Sequence, residues 1–272
     1  AKRSALLFSK GVVLVEGDGE EILLPALVEN ALGVSLDEIG ISVINIGSVA
    51  FEHIASIFSE ERLQRYCSVV TDSDTYLKDA KKSKENASKL GESRKAKLDA
   101  LSESNPWIKP FYADYTFEVD FSNIPENLGY IEEVIKSTYK YGKVAQGHLD
   151  NLTGDLSKRY DEVLTLAENM GKGWYATVLS SIIDEEVYIP EYLVKAIAFA
   201  SQEVVNDSIL RKMTIHVLQT YGDSDMHELL KSLIETNNNT RKILDEFCEI
   251  VSDEEPFSIY YTYLKELGAI NE

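Results

Sequence analysis

Residues 11–17, Gly-Val-Val-Leu-Val-Glu-Gly, are a short β-branched run enclosed by two glycines. Behind them, over about residues 20–30 and just beyond, apolar side chains recur at helical spacing: Ile22, Leu23, Leu27 and Leu32. The first pattern is typical of a buried strand and the second of a helix that packs on one face. The stretch therefore predicts a strand, a tight turn and a helix.

The same alternation continues through the first part of the chain. Apolar strand-like runs occur at residues 41–46, 68–71 and 107–113, and residues 51–58 have the pattern of a short helix. Strands too apolar to have a solvated face, alternating with helices, indicate a parallel sheet that is covered on both sides. In such sheets the functional groups gather beyond the carboxyl ends of the strands.

The composition is that of a globular and strongly acidic chain. It has 272 residues, 44% of them hydrophobic, and 27 Lys and Arg against 46 Asp and Glu give a net charge of −19. Because an acidic surface repels phosphate, the surface as a whole is not that of a nucleic-acid binder.

Cys67 and Cys248 are too far apart in sequence to indicate a disulfide framework or a thiolate zinc site, which favours the reducing cytoplasm. No apolar run is long enough to span a membrane.

One stretch reverses the sign of the charge. Residues 78–99 contain eight Lys or Arg and four Asp or Glu, a local charge of +4 in 22 residues. We expect a basic insert over residues 78–104 that contacts phosphate groups through Lys78, Lys81, Lys82 and Lys84. A solvated helical face or a mobile loop would have the same composition, and no base-reading motif accompanies it.

Helical spacing dominates after Pro125. Apolar side chains mark helices near residues 131–138, 160–167 and 174–182, and Pro190 stands where another helix could begin. Later stripes are Leu193, Ile197, Ala200 and Val204; Leu229, Leu230, Leu233 and Ile234; Ile243, Leu244, Phe247, Ile250 and Val251; and Phe257, Tyr260, Tyr261 and Leu264. Several helices at this spacing predict a bundle at the end of the chain.

Three acidic clusters stand where strands of the predicted sheet end. Their members are Glu16 with Glu20 after the first strand, Asp72 with Asp74 after the third, and Glu118 with Asp120 in residues 116–121. We expect residues 116–121, Thr-Phe-Glu-Val-Asp-Phe, to be extended, so that both carboxylates of that piece point to one side. Neighbouring strands would then bring the three clusters to one edge of the sheet.

Ordinary structural roles exist for some of these acids. Glu20 and Glu21 suit the first turn of a helix because of its macrodipole, and Asp72 and Asp74 suit a turn or a helix cap. Carboxylates this close, however, raise each other's pKa values unless a cation balances them. An oxygen donor set without cysteine or clustered histidine favours Mg²⁺ or Mn²⁺ over zinc.

The order and strand context of these residues resemble the signature of the Toprim domain, a Glu after the first strand and an Asp-x-Asp after the third. Here these are Glu16 in Val-Glu-Gly-Asp-Gly-Glu, and Asp72 with Asp74 in Val-Val-Thr-Asp-Ser-Asp. Among Toprim proteins the sequence looks most similar to the OLD (overcoming lysogenisation defect) nucleases. The Glu118 motif and Lys172 in Gly-Lys-Gly-Trp-Tyr-Ala extend that resemblance over about residues 5–185.

For the fold, the resemblance implies an α/β Toprim domain, a parallel sheet flanked by helices, with inserted and C-terminal all-helical subdomains. We expect the catalytic domain to comprise residues 1–122 and 170–186, including the basic insert. A helical insertion would occupy residues 123–169, and a separate helical domain residues 187–272.

For function, the resemblance implies a DNA endonuclease or nickase that uses two Mg²⁺ or Mn²⁺ ions. The positions expected to hold metal are matched by Glu16, Glu20, Asp72, Asp74 and Glu118, with Asp120 as a weaker match. Lys172 resembles the catalytic lysine of the family and would act with Glu16 and Asp72.

The resemblance also implies a partner besides DNA. Family members carry an ATPase domain in the same chain, but this sequence has no G-x-x-x-x-G-K-[ST] motif, so an ATPase part would lie outside it or in a separate protein. By analogy with a phage-related nuclease family, the expected pathway is antiviral defence or DNA repair.

Three other functions fit parts of the sequence. Asp72-Ser73-Asp74-Thr75 resembles a haloacid-dehalogenase phosphatase loop, but that loop should follow the first strand, and Tyr76 stands where a small residue is expected. Topoisomerase or primase chemistry occurs in other Toprim proteins, although no tyrosine here has a distinguishing context. The third function is a non-catalytic assembly module that binds a partner or another copy. Its acidic site would be degenerate, and its sequence support is an aromatic stripe, Tyr260, Tyr261 and Tyr263.

Overall fold

A computed structural model of the chain describes residues 8–47, 51–140, 142–222, 226, 231, 240–251 and 256–270. Its centre is a four-stranded sheet of β1 (Gly11–Val15), β2 (Ile41–Asn45), β3 (Cys67–Asp72) and β4 (Ile108–Ala113). The spatial order is β2-β1-β3-β4 and every pairing is parallel. The predicted α/β class with a parallel sheet is confirmed.

The register of the strands decides which side chains meet at the carboxyl edge. Leu14 of β1 pairs with Val69 of β3, so the residue two further along β1, Glu16, lies level with Thr71. Asp72 at the end of β3 pairs with Ala113 at the end of β4. The acidic residues that follow β1 and β3 therefore belong to one edge, as the sequence predicts.

Both faces of the sheet are covered by helices. Val12 and Leu14 of β1 pack in the core beneath α2 (Phe51–Ala55) and α3 (Glu85–Glu103). Val13 and Val15 point the other way, into the larger core that includes α1 (Asp18–Leu32). This period of two on a strand buried on both faces explains why residues 11–15 are apolar without interruption.

The helix α3 is the crossover between the parallel strands β3 and β4, and its buried Leu98 anchors it to the sheet. Parallel strands need such a connection, since a tight hairpin cannot join them. The predicted basic insert over residues 78–104 therefore contains an integral helix of the sheet. Its polar composition arises because most of its side chains face solvent.

The extended conformation predicted for residues 116–121 is wrong, because Phe117–Ser122 form a helix, α4. Phe117, Val119 and Phe121 alternate in the sequence as they would in a strand, and all three are buried. A short helix that is buried on most sides has no solvent-exposed face, so its sequence cannot be distinguished from a strand by periodicity.

The three helices predicted between residues 125 and 186 are present, and a further helix lies between the first two of them. A 3₁₀ turn at Pro125–Asn127 leads into α5 (Leu128–Thr138), α6 (Gly142–Leu152), α7 (Leu156–Met170) and α8 (Lys172–Ser180). In α8 the buried face is Tyr175, Ala176 and Leu179, whereas Trp174, predicted to belong to the apolar stripe, is 63% exposed.

A further helix, α9 (Glu191–Ser201), begins after Pro190 as predicted, but it packs directly on the sheet. Ser68 Oγ in β3 donates a hydrogen bond to Ala196 O at 2.5 Å. A Cβ atom at Gly11 in β1 would lie only 1.9 Å from Ala200 O, so only glycine permits this approach. Residues after the predicted boundary at Val187 thus share a core with the sheet, while the boundary itself stays a prediction.

Three more helices lie in the described part of the chain: α10 (Asp207–Tyr221), α11 (Thr240–Ile250) and α12 (Ser258–Glu266). Tyr260 and Tyr263 of α12 are buried, and their hydroxyl groups hydrogen-bond to Thr214 and Ser201 at 2.8 and 2.7 Å. These two tyrosines are core residues, which removes them from the surface that an assembly module would use.

Part of the C-terminal pattern cannot be compared with the structure. The stripe of Leu229, Leu230, Leu233 and Ile234 lies outside the described residues, as do the side chains of Ile243 and Ile250. Within the described part of the chain, no helix is both long enough and apolar enough to cross a membrane.

Candidate active site

Five carboxylates converge at the carboxyl edge of the sheet. They are Glu16 after β1, Glu20 in the first turn of α1, Asp72 and Asp74 at the end of β3, and Glu118 in the first turn of α4. Thr71 Oγ1 donates a hydrogen bond to Glu16 Oε2 at 2.8 Å, which ties the first strand to the third across the site.

Glycines in the turn between β1 and α1 allow the carboxylates to approach the backbone. The position of a Cβ atom at Gly17 lies 3.1 Å from Glu20 Oε2, and that at Gly19 lies 3.9 Å from Glu118 Oε1. The Glu-Gly-Asp-Gly-Glu sequence thus supplies two acids of the cluster, and Gly17 leaves room for the carboxylate of Glu20.

Lys172, the first residue of α8, provides one positive charge. Its Nζ atom lies 3.1 Å from Glu118 Oε1, while Glu118 itself is only 3% exposed. Burial alone would lower the pKa of Lys172, but the nearby carboxylates of Glu118 and Asp72 outweigh burial and hold it above its usual range. Lys172 therefore stays protonated at neutral pH.

Arg94 provides the second positive charge and was not singled out from the sequence. Its Nη2 atom donates to Asp72 O at 2.6 Å and lies 3.5 Å from both Glu16 Oε2 and Asp74 Oδ2. A Cβ atom at Gly91, one turn earlier in α3, would lie 2.3 Å from Ser73 O, so helix and turn touch backbone to backbone. Gly91 inside an otherwise polar helix is the sequence signal for this approach.

The two cations do not balance the five carboxylates. Burial raises the pKa of Asp72 well above its ordinary value, and the charges of Glu20, Glu118 and Glu16 add to this. Burial likewise raises the pKa of Glu20 to about 7. Burial also raises the pKa of Asp74, although Arg94 opposes that shift. Burial is thus the main cause of the raised pKa values, and the neighbouring carboxylates add to it at Glu20 and Asp72.

Comparison with known proteins agrees with this arrangement. Residues 7–74 match the family model described as "Overcoming lysogenization defect protein-like, TOPRIM domain". The chain contains an OLD-like Toprim domain. A comparison with curated proteins finds no match.

Solved structures share the fold of this Toprim domain and of the helices around it. The C-terminal region of the Burkholderia pseudomallei OLD protein is 24% identical, with a TM-score of 0.55 over 73% of this chain and 100% of that one. The C-terminal region of the Xanthomonas campestris pv. campestris OLD protein is also 24% identical, with a TM-score of 0.52 over 74% of this chain and 96% of that one.

Asp120 does not join the carboxylates of the Toprim domain. Two residues apart on a helix point to nearly opposite sides, so Asp120 turns away from Glu118. Its carboxylate accepts hydrogen bonds from the backbone N–H groups of Asp114, at 2.6 Å, and Tyr115, at 3.2 Å. The expectation that Glu118 and Asp120 point to one side is wrong, and Asp120 closes the turn between β4 and α4.

The basic residues after Asp74 lie beside the Toprim domain and contact α7. The backbone N–H groups of Lys81 and Lys82 donate to the Asp161 carboxylate at 2.9 and 2.8 Å. Lys82 Nζ also pairs with Glu168 at 2.5 Å. The side chains of Lys78, Lys81 and Lys84 are exposed, so this segment has a fixed backbone and free positive charges.

Two buried tyrosine hydroxyl groups near the cluster were not predicted. In the described part of the chain, the hydroxyl groups of Tyr175 in α8 and Tyr192 in α9 are buried without a hydrogen-bond partner. Burial raises both pKa values, Glu118 adds to the shift at Tyr175, and Asp72 adds to that at Tyr192. They remain protonated, which is not the state of a phenolate nucleophile. Tyr192 also shows that the region after Val187 reaches the site.

The donor set of the Toprim domain fits a divalent metal. Among the described residues, no three acidic, histidine or cysteine side chains stand at ligand spacing, and three of the carboxylates contact Lys172, Arg94 or Thr71 instead. Glu118 Oε2 is nevertheless buried without a hydrogen-bond partner in the described residues. Free carboxylate oxygens in a cluster with excess negative charge are what a hard cation requires.

Proposed function

We propose that this chain is a divalent-metal-dependent nuclease that hydrolyses phosphodiester bonds in DNA. The observation that carries the proposal is the convergence of five carboxylates and Lys172 from separate elements at the carboxyl edge of a parallel sheet. Toprim domains generally bind divalent metals, which supports the same conclusion.

In this proposal Glu16, Glu20, Asp72, Asp74 and Glu118 hold two Mg²⁺ or Mn²⁺ ions. Two such ions, when bound, activate a water and stabilise the leaving oxygen of a phosphodiester. Asp120 is left out of the ligand set because its carboxylate is occupied by backbone N–H groups.

Lys172 would act on the phosphate group through its charge. Its ammonium is protonated and half exposed, so it can contact a substrate while it remains beside Glu118. A preorganised positive charge next to a phosphate stabilises the negative charge that develops in the transition state. Thr71 would keep Glu16 in place by its hydrogen bond.

DNA is the proposed substrate despite the net charge of −19. The exposed Lys78, Lys81 and Lys84 would contact phosphate groups beside the carboxylates. Because the rest of the surface is acidic, we expect this contact to be weak and sensitive to salt. The similar structures are C-terminal regions of OLD proteins, so an ATPase part of the same assembly is proposed as a partner. Antiviral defence or DNA repair remains the proposed pathway.

Nicking of supercoiled plasmid by the purified chain with Mn²⁺ tests the proposal. Asp72→Asn should reduce the rate by about 10²-fold or more, because it removes a charge from the centre of the site. Asp37→Asn is the matched control, since Asp37 is exposed and lies before β2, at the opposite edge of the sheet. Equal cleavage by folded Asp72→Asn protein, or no cleavage by the wild type with either metal, would remove the nuclease assignment.

A further inference from the structure

The five carboxylates form two groups, each with its own cation. Arg94 lies between Glu16 and Asp74, with its Nη2 atom 3.5 Å from an oxygen of each. The other group consists of Glu20, Asp72 and Glu118, and its cation is Lys172, which lies 3.1 Å from Glu118.

Arg94 is a fixed part of the site rather than a mobile surface side chain. Its guanidinium is about one-fifth exposed and is anchored by the 2.6 Å hydrogen bond from Nη2 to Asp72 O. The contact of Gly91 with Ser73 sets the distance of α3 from the end of β3, and Arg94 follows one turn later. Lys172, in contrast, is half exposed and reaches Glu118 through a flexible stem.

The two groups differ in the charge that they leave unbalanced. Glu16 and Asp74 with Arg94 carry −1, because two carboxylates meet one guanidinium. When its three carboxylates are ionised, the other group carries −2 with Lys172, which one divalent ion balances. That group also contains Glu118 Oε2, which is buried and has no hydrogen-bond partner among the described residues.

We propose that Arg94 is a built-in cation that makes the two metal positions unequal. The tightly bound ion is held by Glu20, Asp72 and Glu118, and an ion at Glu16 and Asp74 binds weakly because it has to displace Arg94. Arg94 is thereby a positioning residue that weakens metal binding at the second position until substrate phosphate adds further negative charge. This inference rests on the proposed function.

Calorimetric titration of the metal-free chain with MnCl₂ tests the role of Arg94. The wild type should bind two ions with affinities that differ by about tenfold or more, and Arg94→Gln should tighten the weaker one by about tenfold. Lys97→Gln is the matched control, because Lys97 lies on the same helix but pairs with Glu52 outside the cluster. It should bind as the wild type does.

A second pair of variants decides the matter if Arg94→Gln does not fold, as judged by circular dichroism. Asp74→Asn should lose the weak ion and keep the tight one, whereas Asp72→Asn should lose the tight one. Three results would each overturn the role of Arg94 without contradicting metal binding. They are equal affinities of the two ions in the wild type, an unchanged affinity of the weaker ion in folded Arg94→Gln, and loss of the tight ion in Asp74→Asn. Absence of any Mn²⁺ binding by the wild type would instead contradict the proposed function, and this inference with it.

Discussion

Lys172 Nζ lies 3.1 Å from Glu118 Oε1, so the first residue of α8 is paired with a carboxylate buried in the first turn of α4. This pair joins two elements that are far apart in sequence. In the proposed function Lys172 would have two roles that mutation can separate, since its ammonium would compete with a metal for Glu118 and would also face the substrate.

The Lys172→Gln variant should therefore lose cleavage activity but still bind Mn²⁺. We expect the rate of plasmid nicking to fall by about 10²-fold, because a preorganised charge near the phosphate is removed. Binding of Mn²⁺, measured by calorimetry, should be unchanged or tighter, since a competing cation is gone. Lys158→Gln, at an exposed lysine paired only with Asp155, is the control. Loss of Mn²⁺ binding together with cleavage would show that Lys172 only maintains the structure.

Glu20→Gln should stabilise the metal-free protein above neutral pH. Burial raises the pKa of Glu20 from 4.5 to about 7, so the folded state retains a proton that the unfolded state releases between these values. The wild type therefore loses stability relative to the variant as the pH rises through this window. Urea denaturation in EDTA should show a difference on the order of 1–3 kcal/mol at about pH 8 and almost none at about pH 4. A wild type that is the more stable protein at the higher pH would refute this expectation.

Gly91→Ala distinguishes helix propensity from packing. In a solvated helix this change stabilises by about 1 kcal/mol. Here the added Cβ would lie 2.3 Å from Ser73 O, a backbone atom, so α3 has to move. We expect a net loss of about 1–2 kcal/mol in the free energy of unfolding, together with slower cleavage because Arg94 shifts. Gly147→Ala in α6, where the new Cβ meets no atom within 4 Å, is the control and should stabilise the protein. Stabilisation by both variants would disprove the close approach.

The sequence alone was sufficient to predict the parallel sheet and the positions of most acidic residues in the candidate site. Continuous apolar runs bounded by glycines identify strands buried on both faces, and the parallel register then places Glu16 level with Thr71, next to Asp72. The positions of Glu16, Glu20, Asp72 and Asp74 follow from local sequence because each lies within a few residues of a strand end.

The features that sequence reasoning missed depend on packing between distant elements. Arg94 is one of eight basic residues in its stretch, and only the contact between Gly91 and Ser73 distinguishes it. Tyr192 reaches the site because α9 packs on the sheet, which its own helical spacing does not indicate. The buried helix α4 has the alternation of a strand, so the divergence of Glu118 from Asp120 was not apparent.

Plasmid nicking by Glu118→Gln and Asp120→Asn, side by side with Mn²⁺, tests the central claim most directly. The two carboxylates lie two residues apart in one short helix, and the structure assigns one to the cluster and the other to a backbone turn. We predict that Glu118→Gln reduces the cleavage rate by about 10²-fold or more with its stability retained. Asp120→Asn should lose about 1 kcal/mol of stability but cleave within about threefold of the wild type. Full activity in Glu118→Gln, or equal loss of activity in two folded variants, would contradict the account.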